Sequence, residues 1–137
     1  MTIIATEWDY WLADVVHEHL RKKEPKLEIK IVPPEKYAEA LEKEKTKAII
    51  LFGGPKAPYI GDVVSRIFKG TENFRFLTWR HEAGFGGVWA KKHKKILHIL
   101  IAGNDEETID GTLLFLTLKN PWTACYHLSI LENYFKH

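Results

Sequence analysis

"IILFGGPKAPYIGDVVSRIF", residues 49–68, is the stretch that decides the fold. It continues the apolar run begun at Ala48, and a strand without polar alternation is one covered on both faces. Gly53-Gly54-Pro55 ends that strand. Ile60, Val63, Val64, Ile67 and Phe68 then recur at helical spacing, and Gly70 closes the helix. A doubly buried strand turning tightly into an amphipathic helix is the repeating half of a parallel α/β sheet.

The same rhythm runs back to the N-terminus. "TIIAT" (2–6) reads as a buried strand. Trp8, Trp11, Leu12, Val15, Val16 and Leu20 form a helical stripe, with Thr6 as N-cap, Glu7 and Asp9 complementing the helix dipole, and Pro25 at the exit. "LEIKIV" (27–32) alternates like a strand near a sheet edge. "PEKYAEALEKEK" (34–45) opens a helix on Pro34. The order βαβαβα argues for parallel strands with right-handed crossovers.

Towards the C-terminus the rhythm changes. "NFRFLTW" (73–79) reads as a strand, and "GVWAKK" (87–92) and "KILHILIAG" (95–103) as an antiparallel hairpin with a basic tip. Residues 104–118 read as a helix. Gly111 inside it costs about 1 kcal/mol relative to Ala, a loss that close backbone packing on the sheet would explain. "PWTACYHLSILENYF" (121–135) carries a helical stripe of Ala124, Leu128, Leu131 and Phe135. The expectation is a single α/β domain over residues 1–137. It should be a three-layer flavodoxin-like sandwich, its sheet mainly parallel with one antiparallel strand near residues 86–92.

Composition narrows the function classes. The chain has 137 residues and a formal net charge of +2, which does not favour a dedicated nucleic-acid binder. Cys125 is the sole cysteine, so neither an internal disulfide framework nor a cysteine-rich zinc site is expected. Glu7, Asp9 and Asp14 interrupt the opening apolar residues, and the later apolar runs are shorter than the roughly 20 residues a membrane span needs. A soluble cytoplasmic protein without membrane contact is expected. Glutamine is absent, Met occurs once, and Lys, Glu and Ile are frequent, a composition of thermophile proteins.

Gly53-Gly54-Pro55, followed later by Ala102, Gly103, Asp105 and Thr108, resembles the core segments of archaeal S-layer proteins. In those, an apolar strand ends in a Gly-Gly-Pro turn, and a hairpin leads to a Gly-plus-acidic turn and a Thr-containing helix. The resemblance covers about residues 48–118. It implies a structural α/β module and carries no catalytic residue across.

Candidate sites follow from the architecture, because open parallel sheets bind ligands beyond the carboxyl ends of their strands. The turns there supply Glu7, Asp9, Gly53, Gly54, Lys56, Asn104 and Asp105 as candidate ligand-binding residues. Backbone N–H groups at Gly53-Gly54, with Lys56, suit a phosphate. Against this, neither the dinucleotide nor the Walker fingerprint is present, and Pro55 and Pro58 remove two donors. A tight structural corner is the stronger reading. Capping alone accounts for the carboxylates in the same way.

Two imidazoles at i and i+2 in His17-Glu18-His19 point to different sides of a helix, and HExxH is absent, so no metal site is expected. His81 lies in a loop, and His98 reads as a satisfied histidine within a strand. Trp8 and Trp11 are assigned to the core. Adding Trp79, Trp89 and Trp122 leaves surplus aromatic surface, which suggests a homo-oligomer or a protein partner. Two function classes follow. One is a non-catalytic domain acting through self-association or a protein partner, without cofactor. The alternative is a small enzyme or ligand binder using the strand-end turns for a phosphorylated or nucleotide-like ligand.

Overall fold

The computed structural model describes residues 1–42, 48–70, 86–103, 108–117 and 127–129. Among the described residues six strands form one sheet: β1 (Thr2–Ile4), β2 (Lys30–Val32), β3 (Ala48–Phe52), β4 (Gly86–His93), β5 (Ile96–Gly103) and β6 (His127–Ser129), in the order β2-β1-β3-β5-β4-β6. β1 pairs in parallel with β2 and β3, and β3 with β5. β4 runs antiparallel to both its neighbours. The sheet is therefore mainly parallel with one reversed strand, as the sequence predicts.

The four α-helices of the described residues lie in two layers: α1 (Tyr10–Lys23), α2 (Tyr37–Glu42), α3 (Gly61–Phe68) and α4 (Thr108–Thr117). Successive residues of β3 serve opposite faces, which is why the strand has no polar position. Ile49 and Leu51 join Tyr37 and Ala40 of α2 and Val64, Ile67 and Phe68 of α3 in one core cluster. Ile50 and Phe52 join Leu12, Val16 and Leu20 of α1 and Phe115 of α4 in the other. The result is a three-layer sandwich in which β3, β5 and β1 are covered on both sides.

Several local expectations are corrected. α1 starts at Tyr10 with Asp9 as N-cap, not with Thr6, and no acidic residue lies in its first turn. Its buried face is Leu12, Ala13, Val16 and Leu20, while Trp8, Trp11 and Val15 stand exposed. Small Ala13 lets the helix sit close to the sheet, and the wide indole of Trp11 is turned to the flank. The helix expected over 121–135 is also overturned at its centre, since His127–Ser129 pairs with Gly87–Trp89 as β6. Pairing satisfies backbone groups along β4, and tertiary pairing of this kind overrides local helical pattern. The strand expected over 73–79 lies outside the described residues.

The β4–β5 hairpin turns at Lys94-Lys95, both at positive φ, between the paired residues His93 and Ile96. Positive φ at both central residues is the signature of the type I′ turn, whose twist matches that of the strands. The basic run 91–95 is thus the end of a hairpin, as the sequence suggests.

Gly111 is where helix and sheet come closest. A Cβ there would stand 2.8 Å from the Gly87 carbonyl oxygen and 3.0 Å from that of Ala102. Both are backbone atoms of paired strands and cannot swing aside. An exposed Gly-to-Ala change in a helix gains about 1 kcal/mol, but overpacking costs about 1–3 kcal/mol. Gly111→Ala is expected to lower the urea midpoint, with a net loss of up to about 2 kcal/mol. A variant as stable as the parent would show that α4 does not lie on the β4–β5 backbone.

Candidate functional site

The sheet reverses direction of growth at β1, since β2 lies on one side of it and β3 on the other. In open α/β sheets the crevice beyond the carboxyl ends of such strands is where ligands bind. A cleft of about 340 Å³ opens at this place. The segment after β1 supplies Thr6, Glu7 and Trp8, the segment after β2 supplies Pro33, Pro34 and Glu35, and the segment after β3 supplies Pro58 and Tyr59.

The glycine corner after β3 is built inward. The Gly53 N–H donates to the Ile101 carbonyl at 3.2 Å, Ala57 N–H to Gly54 and Gly61 N–H to Ala57 at 3.0 Å each, and Ile60 N–H to Pro58 at 2.7 Å. Gly53 holds φ +122, and a Cβ on it would meet that of Ala57 at 2.9 Å. A Cβ on Gly61 would lie 2.3 Å from the Pro55 carbonyl oxygen. These glycines therefore serve close packing of the turn on the start of α3. Four donors are committed inside the protein and two positions are proline, so the corner is poorly equipped to hold a phosphate.

Tyr59 is the residue this corner pushes out. Its φ is +65, and the bond from Ile60 N–H to Pro58 carbonyl closes a three-residue γ-turn around it. Positive-φ γ-turns are rare and strained, and a bulky residue there costs about 1–3 kcal/mol. The side chain is 77% exposed. Trp8, on the segment after β1, is 81% exposed. Two aromatic rings and three prolines thus form the apolar part of the cleft, and Glu7 and Glu35 form its charged part.

The residues predicted from sequence are only partly brought together. Glu7 lines the cleft, exposed and outside α1, so capping does not account for it. Asp9 is the N-cap residue of α1, yet its side chain makes no capping hydrogen bond. Burial pushes its carboxyl above the usual aspartate range. Gly53 and Gly54 belong to the corner, and Lys56 is exposed on it without joining the lining. Asn104 and Asp105 lie outside the described residues. Sequence reading missed Tyr59, Glu35 and the prolines at 33, 34 and 58. The available signal was an aromatic directly after Pro58 in a turn that must already fit two glycines.

Two other clusters have simpler accounts. Asp14, His17 and Glu18 place their ligand atoms within 4.8 Å of one another on α1. His17 Nδ1 lies 3.6 Å from Glu18 Oε1. The group occupies one turn of a helix surface, where imidazole and carboxylate partner each other. His98 is fully buried. Its Nδ1–H donates to the Ile96 carbonyl at 2.9 Å, which leaves Nε2 to accept from the Tyr37 hydroxyl at 2.8 Å. It is the satisfied histidine the sequence predicts, although buried completely. Burial pushes its pKa down, and the ring of His93 stands edge-on to it at 5.5 Å. Burial likewise pushes the Tyr37 hydroxyl up to about 12, with Arg66 opposing.

No family model matches the chain, and neither a curated protein nor a solved structure matches it. Among the described residues no helix is long and apolar enough to cross a membrane.

Buried His98 makes stability depend on pH. Its native pKa lies below the unfolded value, so the unfolded chain binds the proton first as pH falls through about 6.5. The stabilisation is complete above that value and is lost as pH descends toward the lowered native pKa. His93 on β4 is lowered too, by burial first and then by Lys94, Arg66 and Lys91. His98→Asn is expected to be less stable at every pH. It should lose up to about 1.4 kcal/mol less per pH unit than the parent just below pH 6.5. Equal slopes in urea melts of the two proteins would contradict the buried neutral ring.

Proposed function

We propose that this chain is a non-catalytic α/β domain that acts by binding a protein partner through the aromatic rim of the carboxyl-edge cleft. One observation carries the reading: Tyr59 is kept exposed on a strained backbone, in a cleft that it lines together with the exposed Trp8. Strain held in an exposed aromatic does nothing for the core. Residues held at a cost to stability cluster where a protein meets its ligand. Tyr and Trp are also the side chains that supply most binding energy when an interface covers them. Trp11 and Val15 of α1 are exposed large apolar residues as well.

A phosphorylated or nucleotide-like ligand fits the cleft less well, because the donors of the glycine corner are committed internally and carboxylates line the opening.

Stability measurements separate a binding rim from a misread core. Tyr59→Gly removes the positive-φ penalty at a position that glycine occupies freely, and is expected to raise stability by about 1 kcal/mol. Trp8→Ala, at an exposed site, is expected to stay within about 0.5 kcal/mol of the parent. A loss above about 2 kcal/mol for Trp8→Ala would mean that the indole is a core residue, and the proposed rim would not exist. A destabilised Tyr59→Gly would remove the strain argument.

A further inference from the structure

The charge of the cleft runs against that of the chain. The protein as a whole carries 20 Lys and Arg against 18 Asp and Glu. Among the described residues, however, the cleft lining holds two glutamates and no lysine or arginine. Glu7 and Glu35 are both exposed at its opening. The nearest basic side chain in sequence, Lys36, is turned to Glu39 at 3.5 Å and not to Glu35. Lys56 is exposed on the glycine corner and is not part of the lining. Two acidic residues from different strand ends therefore line the cleft, and no lysine or arginine stands among the described residues of its wall.

The aromatic groups are suited to the same charge. The faces of Trp and Tyr rings carry negative potential and attract ammonium and guanidinium groups, by about 0.5–1 kcal/mol at exposed sites and more when water is excluded. Carboxylates beside such rings add charge-assisted hydrogen bonds, and the planar guanidinium can use both at once. A phosphate or acidic peptide would meet repulsion at Glu7 and Glu35. A purely apolar segment would bury these carboxylates without a partner, which is costly. Volume agrees, since about 340 Å³ accommodates one long side chain with its flanking backbone and not a folded element.

We infer that the cleft receives an arginine side chain presented by an extended segment of the protein partner, its guanidinium between the Trp8 and Tyr59 rings and held by Glu7 and Glu35. The inference rests on the cleft being the binding surface, and adds the chemistry of what binds. Complementary charge of this kind raises the association rate and rejects acidic competitors.

The test is an NMR titration of the ¹⁵N-labelled chain with the blocked peptide Gly-Ser-Arg-Gly-Arg-Ser-Gly. The same peptide with both arginines replaced by neutral, isosteric citrulline is titrated in parallel. The expected result is a saturable shift of the Trp8 indole N–H and of the Tyr59 and Glu35 amides with the arginine peptide, and binding weaker by at least about fivefold with the citrulline peptide. Glu7→Gln and Glu35→Gln should each weaken the arginine peptide while leaving the citrulline peptide unchanged. Equal binding of the two peptides at the cleft would overturn the choice of cation and leave the binding surface standing. Shifts that saturate only elsewhere, or no saturable shift at millimolar peptide, would overturn the inference and count against the cleft as well.

Discussion

The backbone of Gly61 lies so close to the carbonyl of Pro55 that no side chain fits between them, and the carboxyl edge of the sheet takes its form from that contact. It folds the start of α3 back onto the end of β3 within eight residues. Four of the turn's N–H groups are used in closing it, from Gly53 to Ile101 across the sheet and from Ala57, Ile60 and Gly61 within the corner. What remains of the chain has to leave the corner outward. Tyr59 is that remainder, held at φ +65 with its ring toward solvent. A glycine-rich turn after a buried strand thus yields a projecting aromatic where an anion site would have been the first thought. The same tight packing creates one wall of the cleft.

Burial and charge then divide the molecule. On the α2–α3 face, His98 and Tyr37 satisfy each other deep in the core, and the neutral ring needs no second proton to do so. This buried polar pair is satisfied, as a dry interior requires. At the carboxyl edge the reverse holds, with two large aromatic rings and two carboxylates left to water. The first arrangement serves folding. The second contributes nothing to folding that burial could explain, and this contrast is the physical basis for reading the edge as a binding surface.

The layer order was legible in the sequence wherever one residue pattern admits one environment. β3 has no polar position because both faces are covered, and the Gly53–Gly54 break and α3 stripe follow in the only order a parallel unit allows. Gly111 was legible for a similar reason, since a glycine that costs helix stability has to be repaid by contact, here with the Gly87 and Ala102 carbonyls. The aromatic rim was not legible. Trp8, Trp11 and Val15 share helical spacing with Leu12 and Val16, and periodicity alone cannot decide which side of that stripe meets the sheet. Ala13, too small to weigh in a hydrophobic pattern, decided it. Tyr59 depended on a backbone angle that no pattern of side chains encodes. β6 depended on a partner strand far away in the chain, which a local helical stripe over 121–135 could not reveal.

The central claim is that the fold turns Trp8 and Tyr59 outward at the carboxyl edge while keeping Trp89 and Tyr37 within the core. Hydroxyl-radical footprinting read residue by residue by mass spectrometry tests it directly, because each ring is its own control for chemistry and differs only in exposure. The account predicts that Trp8 and Tyr59 are oxidised in the native protein nearly as fast as in the unfolded chain, with Trp89 and Tyr37 strongly protected. Protection of Trp8 and Tyr59 equal to that of Trp89 would contradict it.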